Sequence, residues 1–286
     1  MKKLLLTSLF PVLYACLLTA QVNIPTGSVQ EVNTFFNGKT YIVLENRLMS
    51  DYNDMMKAVT ANIWSVTPVE FITLKEFESK RKEKNVSFLM INQVYFDADK
   101  SNTFFDFLVL IAGGNYPSVN EMPLLCGVPL CYEGEEEETW VPKIPLATRF
   151  IQSHMILSKN HPEMNSKNAV EYYISHHAPL SSKILYIPKE QLEVALQSKS
   201  AFSAIYPFPF EICETSKTDE LISMADSSAL ILHIISPVDN DQTDKCIKFI
   251  INPGTAEIYY YDMHDISANK PPCLLESDIK KLAKQQ

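Results

Sequence analysis

Glycine is scarce in this chain, with seven residues among 286, about a third of ordinary usage. With so few, the phosphate-cradling loops can be checked by inspection. Neither G-x-G-x-x-G nor G-x-x-x-x-G-K-[ST] occurs. H-E-x-x-H and G-x-S-x-G are absent as well, which removes the familiar zinc-protease and α/β-hydrolase signatures. Cations are outnumbered, 25 Lys and Arg against 34 Asp and Glu. The resulting charge of −9 has the wrong sign for a nucleic-acid partner, which needs a basic footprint. After the first twenty residues no apolar run approaches the roughly 18 residues of a membrane span. Against these deficits, 46% hydrophobic and 21% charged residues mark a folded chain with an ample core.

The first twenty residues read as an export signal. Lys2 and Lys3 form a positive start, and Leu4 to Leu18 is apolar apart from Thr7, Ser8 and Pro11. Leu18-Thr19-Ala20 places a small residue at the cleavage edge and leaves Gln21 as the new N-terminus. This leader resembles Gram-negative export signals, which implies a periplasmic, outer-membrane or extracellular destination. Leu13-Tyr14-Ala15-Cys16 loosely resembles a lipobox, so a lipid anchor on Cys16 is the rival, although Tyr14 is bulky and Leu17-Leu18 continue the apolar run. Loss of residues 1–20 removes two lysines and no acid, taking the mature charge to −11.

Hydrophobic patterning predicts a mixed α/β fold built as a tandem pair of β-α-β-α-β-β units joined by a helical bridge. In the first unit, strands begin near residues 39, 68, 87 and 103. In the second they begin near 183, 209, 229 and 246. Helices are expected over 51–64 with Ser50 as N-cap, and after Thr73, where Thr73-Leu74-Lys75-Glu76 has capping-box spacing. Further helices are expected over 147–159, 167–176, 189–198, from Ser216, and over 276–284. Residues 246–261 read as a long strand or as a hairpin across Asn252-Pro253-Gly254. The expected divisions are an extension over 21–38, the first unit over 39–114, a bridge over 115–182, the second unit over 183–265 and a tail over 266–286. Within the bridge, 115–142 reads as a loop or interaction surface, because it carries four prolines and the run Glu135-Glu136-Glu137-Glu138.

Several residues are candidates for chemistry. Asp97-Ala98-Asp99-Lys100-Ser101 and Asp239-Asn240-Asp241-Gln242-Thr243 share a D-x-D-x-[ST] pattern. Asp97, Asp99 and Ser101, and likewise Asp239, Asp241 and Thr243, could offer oxygens to Ca²⁺, although the same residues suit plain turns. Cys126 and Cys131 are spaced C-x4-C and could close a small disulfide loop in an oxidising compartment. The six histidines, among them His154, His161, His176 and His177, have no metal-ligand spacing and read as packing or surface residues. Met49, Met55, Met56 and Met90 suit core filling, and Trp64 and Trp140 packing anchors. In Tyr259-Tyr260-Tyr261, strand alternation puts Tyr259 and Tyr261 on one face.

No cofactor is implied. The expected role is that of an exported, non-catalytic envelope protein that binds a protein partner. The alternatives are an exported hydrolase drawing on Cys126, Cys131, His154, His176 or His177, and a small-ligand or Ca²⁺ module. Sequencing the N-terminus of the exported chain should return Gln21; a lipid-modified Cys16 at that end would replace this expectation with anchoring.

Overall fold

The computed structural model describes residues 23–95, 104–237 and 245–285. Helix α1 (Val29–Phe36) begins with a complete capping box, in which Ser28 and Glu31 satisfy each other's backbone N–H groups. The first unit follows as β1 (Lys39–Leu44), α2 (Asp51–Ile63), β2 (Val69–Thr73), α3 (Leu74–Lys80), β3 (Val86–Val94), β4 (Phe105–Ala112) and β5 (Leu124–Tyr132). The bridge carries α4 (Glu137–Trp140), α5 (Ile144–Asn160) and α6 (Ala169–His176). The second unit is β6 (Ile184–Pro188), α7 (Lys199–Ser203), β7 (Phe210–Cys213), α8 (Thr215–Met224), β8 (Ala229–Ile235), β9 (Lys245–Ile251) and β10 (Ile258–Asp265), closed by α9 (Glu276–Leu282).

Two five-stranded mixed sheets result, ordered β2-β1-β3-β4-β5 and β7-β6-β8-β9-β10. Each has three parallel strands followed by two antiparallel ones, so the tandem units match in topology. Each also contains one strand beyond the four expected. In the second unit the 246–261 segment is the hairpin, folded across Asn252, whose side-chain oxygen accepts the N–H groups of Gly254 and Thr255.

In the first unit the extra strand is β5, inside the segment read as loop. Pro129, one of the four prolines of that segment, falls within the strand. β5 lies at the edge of its sheet, where a missing N–H costs no ladder bond, and its pairing to β4 shifts register between Asp106 and Phe107 beside Pro129. The first sheet therefore takes in residues up to Tyr132. The 189–198 helix is also absent; two short 3-10 turns stand there instead. The backbone around Leu192 pairs with the tail: Leu274 N–H donates to Gln191 O and Glu193 N–H to Leu274 O. Those bonds compete with helical ones and win.

Along β8 the faces alternate. Leu230 and Leu232 join a core with Phe202, Tyr206, Leu274 and Ile279. Ile231 and Ile235 point the other way, into a core shared with the first unit, where they meet Leu125, Leu130, Ile144 and Ile151. This shared core, centred on β5 and α5, unites the two sheets. A register shift between Ile258 and Tyr260 breaks the alternation on β10. Tyr259 and Tyr260 both enter the α9-side core and Tyr261 the shared one, where it stacks on Phe249 at 4.3 Å, so the expected Tyr259–Tyr261 pairing on one face is wrong.

The glycine deficit leaves a mark. α8 ends in a left-handed turn at Ala225 (φ 52°, ψ 46°), with Asp226 N–H donating to Leu221 O. That position favours glycine, because a Cβ costs roughly 1–2 kcal/mol in this region. After subtracting the greater chain entropy of glycine, Ala225→Gly should raise stability by roughly 0.5–1 kcal/mol, read as a higher urea midpoint with an unchanged slope.

Candidate functional site

Helices α2 and α3 cover opposite faces of the first sheet. Tyr52 and Met56 of α2 pack in the core with Ile42 and Leu89, whereas Phe77 of α3 packs with Tyr41 and Phe88. The chain thus reverses its winding between β1 and β3. In α/β sheets the strand ends at such a switch point are where ligands bind. At that end of this sheet stand Glu45, Gln93, Asp106, Cys131, Glu133, Glu135 and Glu137.

The loop from β1 to α2 is held at both ends. Asn53 clamps Glu45 through two bonds, accepting its N–H at 2.9 Å and donating to its carbonyl at 3.0 Å. Ser50 caps α2, accepting the N–H of Asn53 at 3.1 Å. Arg47 donates to Glu137, and Glu137 accepts the N–H of Asp51 at 2.9 Å. Between these anchors Leu48 is fully exposed and Met49 is 90% exposed. Met49 is therefore not core, although Met56 and Met90 are buried as expected.

The acidic run alternates. Glu136 and Glu138 are exposed, while Glu135 and Glu137 turn partly inward. Glu135 accepts from the N–H of Tyr132 and the hydroxyl of Thr139, both at 3.2 Å. Gln93 donates to Glu133 at 2.8 Å. Behind them, burial and then the charges of Glu133, Glu45 and Glu135 push the Asp106 carboxyl up to about 7, against a hydrogen bond from Gln93. Burial also raises Glu45, with Glu137 adding to it, and raises Glu135. The result is an acidic rim beside a tethered apolar tip. Sequence reading missed Asp106, whose signal is a charge inside the apolar run Phe105-Asp106-Phe107.

The other candidates are dispersed. Cys126 and Cys131 both lie on β5, five residues apart on an extended strand. At about 3.3 Å per residue their Cα atoms are far beyond the 7 Å or so that a disulfide tolerates. They are free buried thiols, held protonated by burial. His154 is fully buried, with Nδ1 3.0 Å from Tyr173 Oη and Nε2 3.1 Å from Thr26 Oγ1. Thr26 spends its own proton on Ile24 O at 3.0 Å, so Nε2–H donates to Thr26 and Tyr173 donates to Nδ1. His176 and His177 bond to backbone carbonyls of Tyr172 and Ala178. Among the described residues, these three histidines bond to Tyr173, to the carbonyl of Tyr172 and to the carbonyl of Ala178, and the structure brings none of them to Cys126 or Cys131 by a hydrogen bond. Among the described residues no group of three or more His, Cys, Asp and Glu could hold a metal ion. Asp97, Asp99, Ser101, Asp239, Asp241 and Thr243 lie outside the described residues; the strands they join, β3–β4 and β8–β9, occupy matching places in the two sheets.

No family model, curated protein or solved structure matches the chain. Among the described residues no helix is long and apolar enough to cross a membrane.

The buried titrating groups set a pH dependence. Burial lowers His154 and His233 from 6.5 to about 4. Below pH 6.5 the unfolded chain takes up these two protons and the folded chain does not, so their contribution is lost as pH falls toward 4. Asp106 works the opposite way. Its folded value near 7 lies above the ordinary 3.8, so its contribution is present at low pH and lost as pH rises through 7. Asp106→Asn should therefore stabilise the protein at pH 8 by roughly 1–3 kcal/mol and steepen its acid destabilisation between pH 6.5 and 4. Urea denaturation of both chains across that range checks this; parallel curves would show that Asp106 does not titrate there.

Proposed function

We propose that this chain is an exported component of the cell envelope that works by binding another protein, not by catalysis. The observation that carries this reading is the β1–α2 loop. Ordering a loop and exposing large apolar side chains on it both cost free energy. Here Asn53, Ser50 and the Arg47–Glu137 pair meet the ordering cost, yet Leu48 and Met49 are left in solvent. A tethered apolar tip of this kind suits an anchor that enters a pocket on a partner. The surrounding carboxylates Glu133, Glu136 and Glu138 suit a partner surface with basic residues around that pocket. The export signal supplies the compartment.

A photo-activatable cross-linker placed at Leu48 in the native cell should give one dominant protein adduct. The same reagent at Val194, an exposed apolar residue of the second unit, should not give that adduct. Glu136→Lys with Glu138→Lys should lower the Leu48 adduct about tenfold, the loss expected from about 1.4 kcal/mol of binding. Equal adducts from both positions, or an adduct indifferent to the two lysines, would remove this surface as the binding site.

A further inference from the structure

The second sheet carries a polar cluster in its core that a binding role does not use. Lys248, in the middle of β9, is 0% exposed, and Asp278, in the first turn of α9, is 1% exposed. Lys248 Nζ lies 2.5 Å from Asp278 Oδ2. It also lies 3.6 Å from Oδ2 of Asp262, the residue directly across the ladder on β10. Asp278 Oδ1 accepts the Tyr260 hydroxyl at 2.8 Å, and Oδ2 accepts the N–H of Leu275 at 2.9 Å. Lys281 Nζ holds the other oxygen of Asp262 from 3.5 Å. Ile279, Leu282 and Leu274 close the core beside the cluster.

As an ion pair this arrangement is a poor stabiliser, because desolvating both charges offsets most of their attraction. A neutral amine and a neutral carboxyl group held in contact can also condense. The usual obstacles to that reaction in water are the entropy of bringing the groups together and hydrolysis of the product. Here the fold supplies the proximity, and burial keeps water away.

We propose that Lys248 and Asp278 join in an intramolecular amide bond, with Asp262 shuttling the proton. Nζ first passes one ammonium proton to the Asp278 carboxylate, leaving an amine and a carboxylic acid. The Nζ lone pair then attacks Cγ and forms the N–C bond. Oδ1 takes the developing negative charge, which the Tyr260 hydroxyl stabilises as a hydrogen-bond donor already in place. Asp262 accepts a second proton from nitrogen and delivers it to the Oδ2 hydroxyl. The Cγ–Oδ2 bond breaks and the oxygen leaves as water. One proton stays on the amide nitrogen, Asp262 ends ionised as it began, and no oxidant or reductant is consumed. The bond ties β9 to α9 and closes a loop through β10 and the tail.

Mass spectrometry of the full mature chain, purified from its native host and denatured, tests this. The expected mass is lower by one water than the sequence requires from its measured N-terminus. Proteolysis should yield a branched peptide joining the Lys248 and Asp278 segments. Cyclisation of an N-terminal Gln21 removes ammonia instead of water and maps to a different peptide. Lys248→Met, which keeps the apolar stem and lacks the amine, should return the full mass. Asp262→Asn should leave most of the folded chain uncross-linked. A wild-type chain of full mass, with Lys248 and Asp278 in separate peptides, overturns the bond whatever the variants do. Full cross-linking in Asp262→Asn overturns the role given to Asp262.

Discussion

The structure depends on the covering of one sheet edge. β5 is the last strand of the first sheet, and an uncovered edge strand presents unpaired backbone groups and invites aggregation. Almost every residue of β5 is nevertheless buried. α5 packs on it from the bridge, and the second unit supplies the rest. His233 on β8 donates through Nε2 to Pro129 O at 2.9 Å, which spends the carbonyl of the residue that breaks the ladder. The Tyr132 hydroxyl accepts the N–H of Lys245 at 3.0 Å and also bonds its carbonyl, at the start of β9. Lys143 with Asp219, and Arg149 with Pro253 O, tie the bridge to the second unit. Polar latches surround the apolar core that Ile231, Ile247 and Phe249 share with Leu130, Ile144 and Phe150.

Buried polarity is handled in three ways. His154 and His233 are kept neutral, so their hydrogen bonds come without a charge to desolvate. Lys248 and Asp278 are buried together, with Tyr260 and Leu275 completing the carboxylate's partners. Asp106 is the exception, because the charges that act on it, those of Glu133, Glu45 and Glu135, are carboxylates. A charge so placed lowers stability at neutral pH, and positions of that kind are often retained for function. It lies behind the same rim that frames Leu48 and Met49.

Much of the fold was legible in the sequence, and the failures share a cause. The N-cap of α2 and the capping box of α3 are local devices, and the structure places them at Ser50 and at Thr73 with Glu76 as spacing predicts. The strands 69–73, 86–94, 210–213 and 229–235 follow from short β-branched runs. What sequence patterning could not supply was tertiary competition. The tail captures Gln191 and Glu193, so a helix is lost; a neighbouring unit accepts a Pro-containing strand, so a strand is gained. The site divides along the same line. The acidic run 135–138 was visible as composition, but the inward turn of Glu135 and Glu137 depends on Thr139, Asp51 and Arg47. The pairing of Lys248 with Asp278 spans thirty positions and three elements, and no local pattern announces it.

The tether at α5 also bears on how such a protein can change over time. Both sheets lean on one helix and one strand, so neither unit could now be lost or exchanged without baring apolar surface of the other. Substitutions along α5 and β5 must satisfy two cores at once, whereas exposed residues at the strand ends of the first sheet, such as Leu48, Met49, Glu136 and Glu138, answer to solvent and to whatever meets them there. Variation should therefore gather at that rim while the seam between the units stays fixed, so that the same body can be fitted to new surfaces without being rebuilt.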